Sequence, residues 1–330
     1  MVKFITRLWF SIILFQVSVE PLTMDFRIWL HRNGYSDDDF EAKNFGNNGS
    51  FGGKGYFNYI VRRRPVIFIH GNSDGALSDG SIYGTGWNSH LKGFLNNGYT
   101  AAELYGITWG DRNPNNAFEK TFNCEFVNKI RRFILAVLKY TRYNSVNIVS
   151  HSMGVTLTRK AIQGGIINGI DGSCDIGEYL KGKVNTFVAI SGANYGLCFC
   201  NSDFFLSQPG CNKKNGFWPG DNYHSTLCSD ITKNGYHPTK YSQFLQDLND
   251  ANKPEGKFIT TVFSTEDELI GNKNKVFNRY TSSLPLAGNQ YISNSWNHTE
   301  TKDNSSFLVC KEIMNNDLKI NHKKIIKNIF

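Results

Sequence analysis

Several features are missing from this 330-residue chain, and each absence excludes something. Beyond its first twenty residues no run is apolar enough to cross a bilayer, which argues against an integral membrane protein. No paired C-x-x-C units occur among its seven cysteines, so a structural zinc site is disfavoured. Basic and aromatic residues are not interleaved in the way nucleic-acid binders require, although the formal charge is +8. There is no internal repeat, no low-complexity block and no composition shift that marks a second domain. What remains is one large α/β domain with 40% hydrophobic and 14% aromatic residues, enough to fill a core.

The first residues read as a signal peptide over 1–19. Lys3 and Arg7 supply the positive start, and 8–19 are apolar except for Ser11, Gln16 and Ser18. Removing them takes the charge from +8 to +6, since two cations leave. Lys319, Lys323, Lys324 and Lys327 then concentrate much of the remainder at the end, as a solvated tail with weak attraction for anionic lipid surfaces. The mature protein, residues 20–330, is expected to be secreted. Cys198, Cys200, Cys211 and Cys228 crowd into a stretch that reads as disulfide-stapled, with Cys124, Cys174 and Cys310 elsewhere. An odd count leaves one thiol over, and the pairing is not legible. Asn48-Gly49-Ser50, Asn297-His298-Thr299 and Asn304-Ser305-Ser306 are glycosylation sequons.

The pattern in between is of buried strands alternating with helices. Val66-Ile67-Phe68-Ile69 is a continuous apolar run, as in a parallel sheet covered on both faces. It ends in the small-residue loop His70-Gly71-Asn72-Ser73-Asp74-Gly75. Helices are expected over 87–97, 122–143, 155–162, 241–249 and 306–315. Further strands are expected over 100–105, 184–190 and 258–263, the last being the final clear one. In the helix over 122–143 the cations Lys129, Arg131, Arg132, Lys139 and Arg142 read as a solvated face. Residues 24–57 form an N-terminal extension. Residues 193–240, with four cysteines and eight aromatic residues up to Tyr236, read as an insertion: a lid, a pocket wall or a disulfide-braced loop. The fold class is therefore α/β, doubly wound and mostly parallel, with a Cys-rich lid-like insertion.

Within that frame Val146-Asn147-Ile148-Val149-Ser150-His151-Ser152-Met153-Gly154 turns abruptly from strand to helix with Ser152 at the corner, the geometry of a nucleophile elbow. Strand and helix pass close there, so residues two before and two after must be small; Gly154 complies, and Ser150 stands where Gly is usual. A Ser hydroxyl is inert without an imidazole base and a carboxylate that sets the base's tautomer. In α/β-hydrolases these follow in the order Ser, acid, His. His31, His70, His90 and His151 come too early; His224 and His237 lie in the insertion; His322 lies among terminal lysines. His298, in a polar loop after the last strand, remains as the base. Asp267 is chosen as the acid from Glu266, Asp267 and Glu268, because Leu269-Ile270 re-enters the core and the two glutamates then face solvent. The backbone N–H groups of Asn72 and Met153 are the candidate oxyanion donors.

These motifs, in this order, resemble the class 2 lipases, small bacterial triacylglycerol lipases and their larger secreted relatives. The residues that carry the resemblance are 66–72, the elbow 150–154, Ser264-Thr265-Glu266-Asp267 and Asn297-His298-Thr299, with 26–53 similar to the extension of the larger members. The resemblance implies an α/β-hydrolase fold, hydrolysis of carboxylic esters of lipids, transient contact with lipid interfaces, and no required cofactor or metal. Two other readings use the same residues: a secreted lipid-binding protein without turnover, with a glycan on Asn297 beside the base loop, and an acyltransferase.

Overall fold

The computed structural model describes residues 21–327 except 223–226, 231–237 and 239, with side chains followed as far as Lys319. The proposed signal segment, His224, His237 and the side chains of the Lys-rich terminus lie outside the described residues.

Six strands form one all-parallel sheet: β1 Val66–Ile69, β2 Leu104–Ile107, β3 Val146–His151, β4 Val184–Ile190, β5 Phe258–Ser264 and β6 Asn289–Ser293. Their spatial order is β6-β5-β4-β3-β1-β2. Strand parity sorts the side chains onto two faces. Ile67, Ile69, Tyr105, Ile148, Phe187 and Ala189 enter one core with helices α3 Cys124–Thr141 and α4 Met153–Gln163. Val66, Phe68, Leu104, Val149, Val188 and Val262 enter the other, with α2 Asn88–Asn96 and the C-terminal helix. β1, β3 and β4 are buried along their whole length, which is why β1 is an uninterrupted apolar run and β3 and β4 are mostly apolar.

The N-terminal extension completes this architecture. Helix α1, Met24–Arg32, buries Phe26 and Leu30 against α3. Phe51 forms an antiparallel bridge to Gly106 on the edge strand β2, and a side chain at Gly106 would strike the Phe51 ring. The extension thereby shields a sheet edge that would otherwise be exposed.

Four expectations are corrected. Ala101–Glu103 is a single-turn 3-10 helix capped by Thr100 through a Thr100–Glu103 capping box, and the strand begins only at Leu104. A sixth sheet strand, β6, follows β5; it was illegible because this edge strand is largely exposed and polar. Arg131 is buried rather than solvated: its guanidinium donates to the Ala161 carbonyl, an orphan group in the last turn of α4, and to the Glu178 carbonyl. The segment after β6 is not a loop but a helix, α6 His298–Asn304, followed by α7 Ser306–Lys327; α5 is Gln243–Asp250.

Six cysteines pair as Cys124–Cys174, Cys198–Cys228 and Cys200–Cys211, and Cys310 is left free and buried. Cys124–Cys174 ties the start of α3 to the hairpin Ile166–Gly169/Gly172–Asp175 across 50 residues. Closing a loop of that length constrains the unfolded chain by about 4 kcal/mol. The Cys124→Ser/Cys174→Ser variant should lose that amount in urea unfolding with ester turnover retained, because the bridge lies away from the cavity described below. Among the described residues no helix is long and apolar enough to cross a membrane.

Candidate active site

All six strands run the same way, so the loops after β1, β3, β4, β5 and β6 emerge along one edge of the sheet, where α/β proteins place ligands. Ser152 stands at the corner between β3 and α4 with φ 54° and ψ −130°, a left-handed strained conformation that persists only where its surroundings enforce it. Enforcement comes from close packing. A Cβ at Gly154 would lie 2.2 Å from the His70 carbonyl oxygen, and one at Gly71 would lie 2.7 Å from the Ser152 Cβ. Only glycine permits either approach. Ser150 fits in place of the usual Gly because its hydroxyl turns into α4 and bonds the Thr158 hydroxyl at 3.0 Å.

The loop after β1 is fixed from below by His70. Its ring stacks on Trp109 with centroids 5.2 Å apart, and its Nε2 accepts from the Trp109 backbone N–H at 3.0 Å. The proton therefore sits on Nδ1, which donates to the Gly71 carbonyl at 2.7 Å. Burial holds this imidazole neutral, its pKa lowered to about 4, so His70 is a structural prop. Asn72 is held through its side-chain amide, which donates to the Ala117 carbonyl at 2.8 Å. Among the described residues the backbone N–H groups of Asn72 and Met153 meet no acceptor. Both residues line the same cavity as Ser152.

His298 is the first residue of α6. Asn297 caps that helix, accepting from Glu300 N–H at 2.8 Å while the Glu300 carboxylate accepts from Asn297 N–H at 2.9 Å. The imidazole Nδ1 lies 2.8 and 2.9 Å from the two Asp267 carboxylate oxygens. Burial pushes the Asp267 carboxyl up, but the facing His298 and the Ile270 backbone N–H outweigh it, and its pKa lies below the usual carboxylate value. With Nδ1 donating to Asp267, Nε2 is left bare. The neighbouring His151 ring packs on His298 with centroids 4.6 Å apart, and burial keeps it neutral. No hydrogen bond joins His298 to Ser152 in this structure. Such bonds are commonly long before a substrate is bound.

The structure thus brings Ser152, Met153, Asn72 and His298 to one cavity of about 500 Å³, with Asp267 behind His298. Glu266 is exposed as expected and pairs with Lys273. Glu268 is exposed as expected too, and in addition its carboxylate accepts from the His298 backbone N–H at 2.8 Å and anchors the start of α6. The cavity wall is mostly apolar. Leu197, Phe199 and Phe217 come from the insertion, with Cys211 of the Cys200–Cys211 bridge; Phe118, Leu269 and Ile270 complete it. Of the three readings of the insertion, its first half is a disulfide-braced pocket wall. The two cations at the wall are neutralised, Lys120 by Asp111 at 2.7 Å and Lys302 by Asp74 at 2.5 Å. A ligand of this cavity would meet hydrocarbon on most sides and few charges.

A doubly wound parallel sheet with a strained Ser at a strand–helix corner defines the chain as an α/β-hydrolase. No curated protein matches it in sequence. A model of the class 2 lipase family matches residues 63–310, and the chain belongs to that family of lipolytic ester hydrolases. Similar solved structures include the mature lipase BlEst2 of Bacillus licheniformis, with TM-score 0.47 and 14% identity over 80% of this chain and 97% of that one. Another is a monoacylglycerol lipase of Paleococcus ferrophilus, with TM-score 0.46 and 10% identity over 81% and 97% of the two chains.

Proposed function

We propose that the chain is a secreted serine hydrolase that cleaves carboxylic esters of lipids through Ser152, His298 and Asp267. Residues 1–19 would direct export and be removed, and three disulfides suit an oxidising compartment. The observation that carries the reading is the Asp267–His298 contact, which leaves Nε2 bare beside the same apolar cavity that Ser152 lines. In the reaction, Nε2 takes the Ser152 proton as Oγ attacks the ester carbonyl. Asp267 holds the imidazolium. The N–H groups of Met153 and Asn72 receive the oxyanion, each contributing about 3 kcal/mol in the transition state. His298 then protonates the leaving alcohol, and water releases the acid by the reverse steps.

An activity-based phosphonate carries the test. It should label the protein on Ser152, located by peptide mapping, and emulsified triglycerides and p-nitrophenyl esters should be hydrolysed in proportion to the unlabelled fraction. Lipid binding without labelling would favour the catalytically silent reading, in which a glycan on Asn297 covers the base. Esterified alcohol in place of free acid would favour acyl transfer.

A further inference from the structure

The two halves of the proposed machinery come from separated parts of the sheet. The oxyanion loop follows β1, whereas the acid and base follow β5 and β6 at the far edge. One side chain joins them directly. Lys302 lies four residues after His298 on α6, one helical turn along. Its ammonium reaches Asp74 at 2.5 Å, and Asp74 lies two residues after Asn72. Both side chains are buried, with 1% and 5% exposure. The other Asp74 oxygen accepts from the N–H groups of Gly75 and Gly86 at 2.8 and 2.9 Å, so this carboxylate organises the whole loop.

Stability is a poor explanation for such a pair. Desolvating two charges offsets most of their attraction, and an apolar pair of the same volume usually serves as well. What an ion pair adds is direction, because it fixes where one element stands relative to another. The remaining ties at this site are local: Glu268 and Asp267 hold His298 to the β5 loop, and Ala117 holds Asn72. Among the ion pairs of the described residues, the Lys302–Asp74 contact alone runs from the helix that carries the base to the loop that carries an oxyanion donor.

We propose that Lys302 is a positioning residue: through Asp74 it straps helix α6 to the oxyanion loop and holds the His298 imidazole and the Asn72 N–H in mutual register. The proposal rests on the hydrolase reading above. It requires no contact between Lys302 and substrate, and no proton transfer by it.

The test is the double variant Asp74→Asn/Lys302→Met beside Lys302→Arg and wild type. Asn keeps an acceptor for Gly75 and Gly86 while removing the charge, and Met fills the space of the lysine stem, so the double variant should fold. The single Lys302→Met is less useful, since it strands a buried carboxylate. On a p-nitrophenyl ester the double variant should lose about 100-fold in kcat with KM unchanged, as a misplacement of roughly 1 Å produces. Lys302→Arg should recover much of that loss. Amide hydrogen exchange of residues 71–75 and 298–303 should accelerate in the double variant while the sheet stays protected. Wild-type kcat, or a loss that merely follows the unfolded fraction, overturns the positioning role. Unchanged exchange in both segments overturns the strap. If wild-type protein shows no turnover that depends on Ser152, the hydrolase reading falls and the catalytic half of this proposal with it. The exchange comparison then decides the strap independently of activity.

Discussion

Replacing Ser152 with Ala should lower kcat for ester hydrolysis by roughly 10⁵–10⁶-fold and leave the unfolding free energy within about 0.5 kcal/mol of wild type. The two halves of this expectation have separate causes. Turnover fails because the acyl-enzyme cannot form; what survives is catalysis by the oxyanion donors and by binding alone. Stability survives because the Ser152 hydroxyl makes no hydrogen bond among the described residues, so its loss orphans no partner. Ala also keeps the Cβ that Gly71 closely approaches. Ser152→Gly should be equally inactive yet more stable by about 1 kcal/mol, since only Gly adopts φ 54° without strain. A third comparison tests whether the residues act as a unit: Ser152→Ala/His298→Ala should be no slower than either single variant. The measurements are initial rates on a soluble p-nitrophenyl ester and urea denaturation of the same preparations. Full activity in Ser152→Ala removes the nucleophile assignment, and equal stability of the Ala and Gly variants removes the strain argument.

How much of this was legible in the sequence depends on what each residue faces. β1 and β4 were legible to the residue, and β3 was legible as a strand, because all three are buried on both faces and burial favours apolar side chains. β6 lies on the open edge and carries Asn289, Gln290 and Ser293 largely toward solvent; nothing in its composition separates it from a loop. Helix α6 hid for a related reason. Its capping box, Asn297 and Glu300, is visible in the sequence, but the residues that follow are polar and no apolar stripe confirms a helix.

Missing that helix had a cost for the site. Lys302 faces His298 across one helical turn only if the segment is helical, so a loop reading gave no reason to connect them. The role of Glu268 was not legible, because facing solvent does not reveal that the His298 backbone N–H reaches its carboxylate. The order Ser, acid, His was legible because it follows from chain connectivity. The lengths of the hydrogen bonds and the neutral state of His70 were not, since both depend on packing between segments distant in sequence.

The neutral histidines lead to the second large effect, which is on stability in acid. His70, His90 and His151 are all buried, and burial lowers each pKa: to about 4 for His70, to about 3 for His90, and well below the usual value for His151. Lys302 adds to the effect as a nearby positive charge at all three. Above pH 6.5 the native and unfolded states both carry neutral imidazoles, and these groups do not change stability. Between 6.5 and 4 the unfolded chain binds protons that the native state refuses, so stability falls as pH falls. Each histidine contributes a slope of up to about 1.4 kcal/mol per pH unit. From pH 7 to 4 the loss from His70 and His90 alone is about 3 kcal/mol each, comparable with much of a domain's total stability. Asp74 and Asp267 have lowered pKa values, so their contribution is present above about 3.8 and is lost only as pH falls below that value. They fall in a lower window than the histidines; Asp303 and Asp317, whose carboxyls burial raises, work in the opposite sense, so the histidine share is read from a variant. His90 is the residue to change. Neither of its ring nitrogens has a partner among the described residues, and its ring meets Trp87 and Phe68 edge-on. Phe in its place keeps those contacts and removes one titrating group. Urea midpoints between pH 7 and 4.5 should therefore fall steeply in wild type, and less steeply in His90→Phe by up to one proton's slope. Parallel curves for the two proteins would mean that His90 is protonated alike in the native and unfolded states, and a flat wild-type curve would remove the argument for all three.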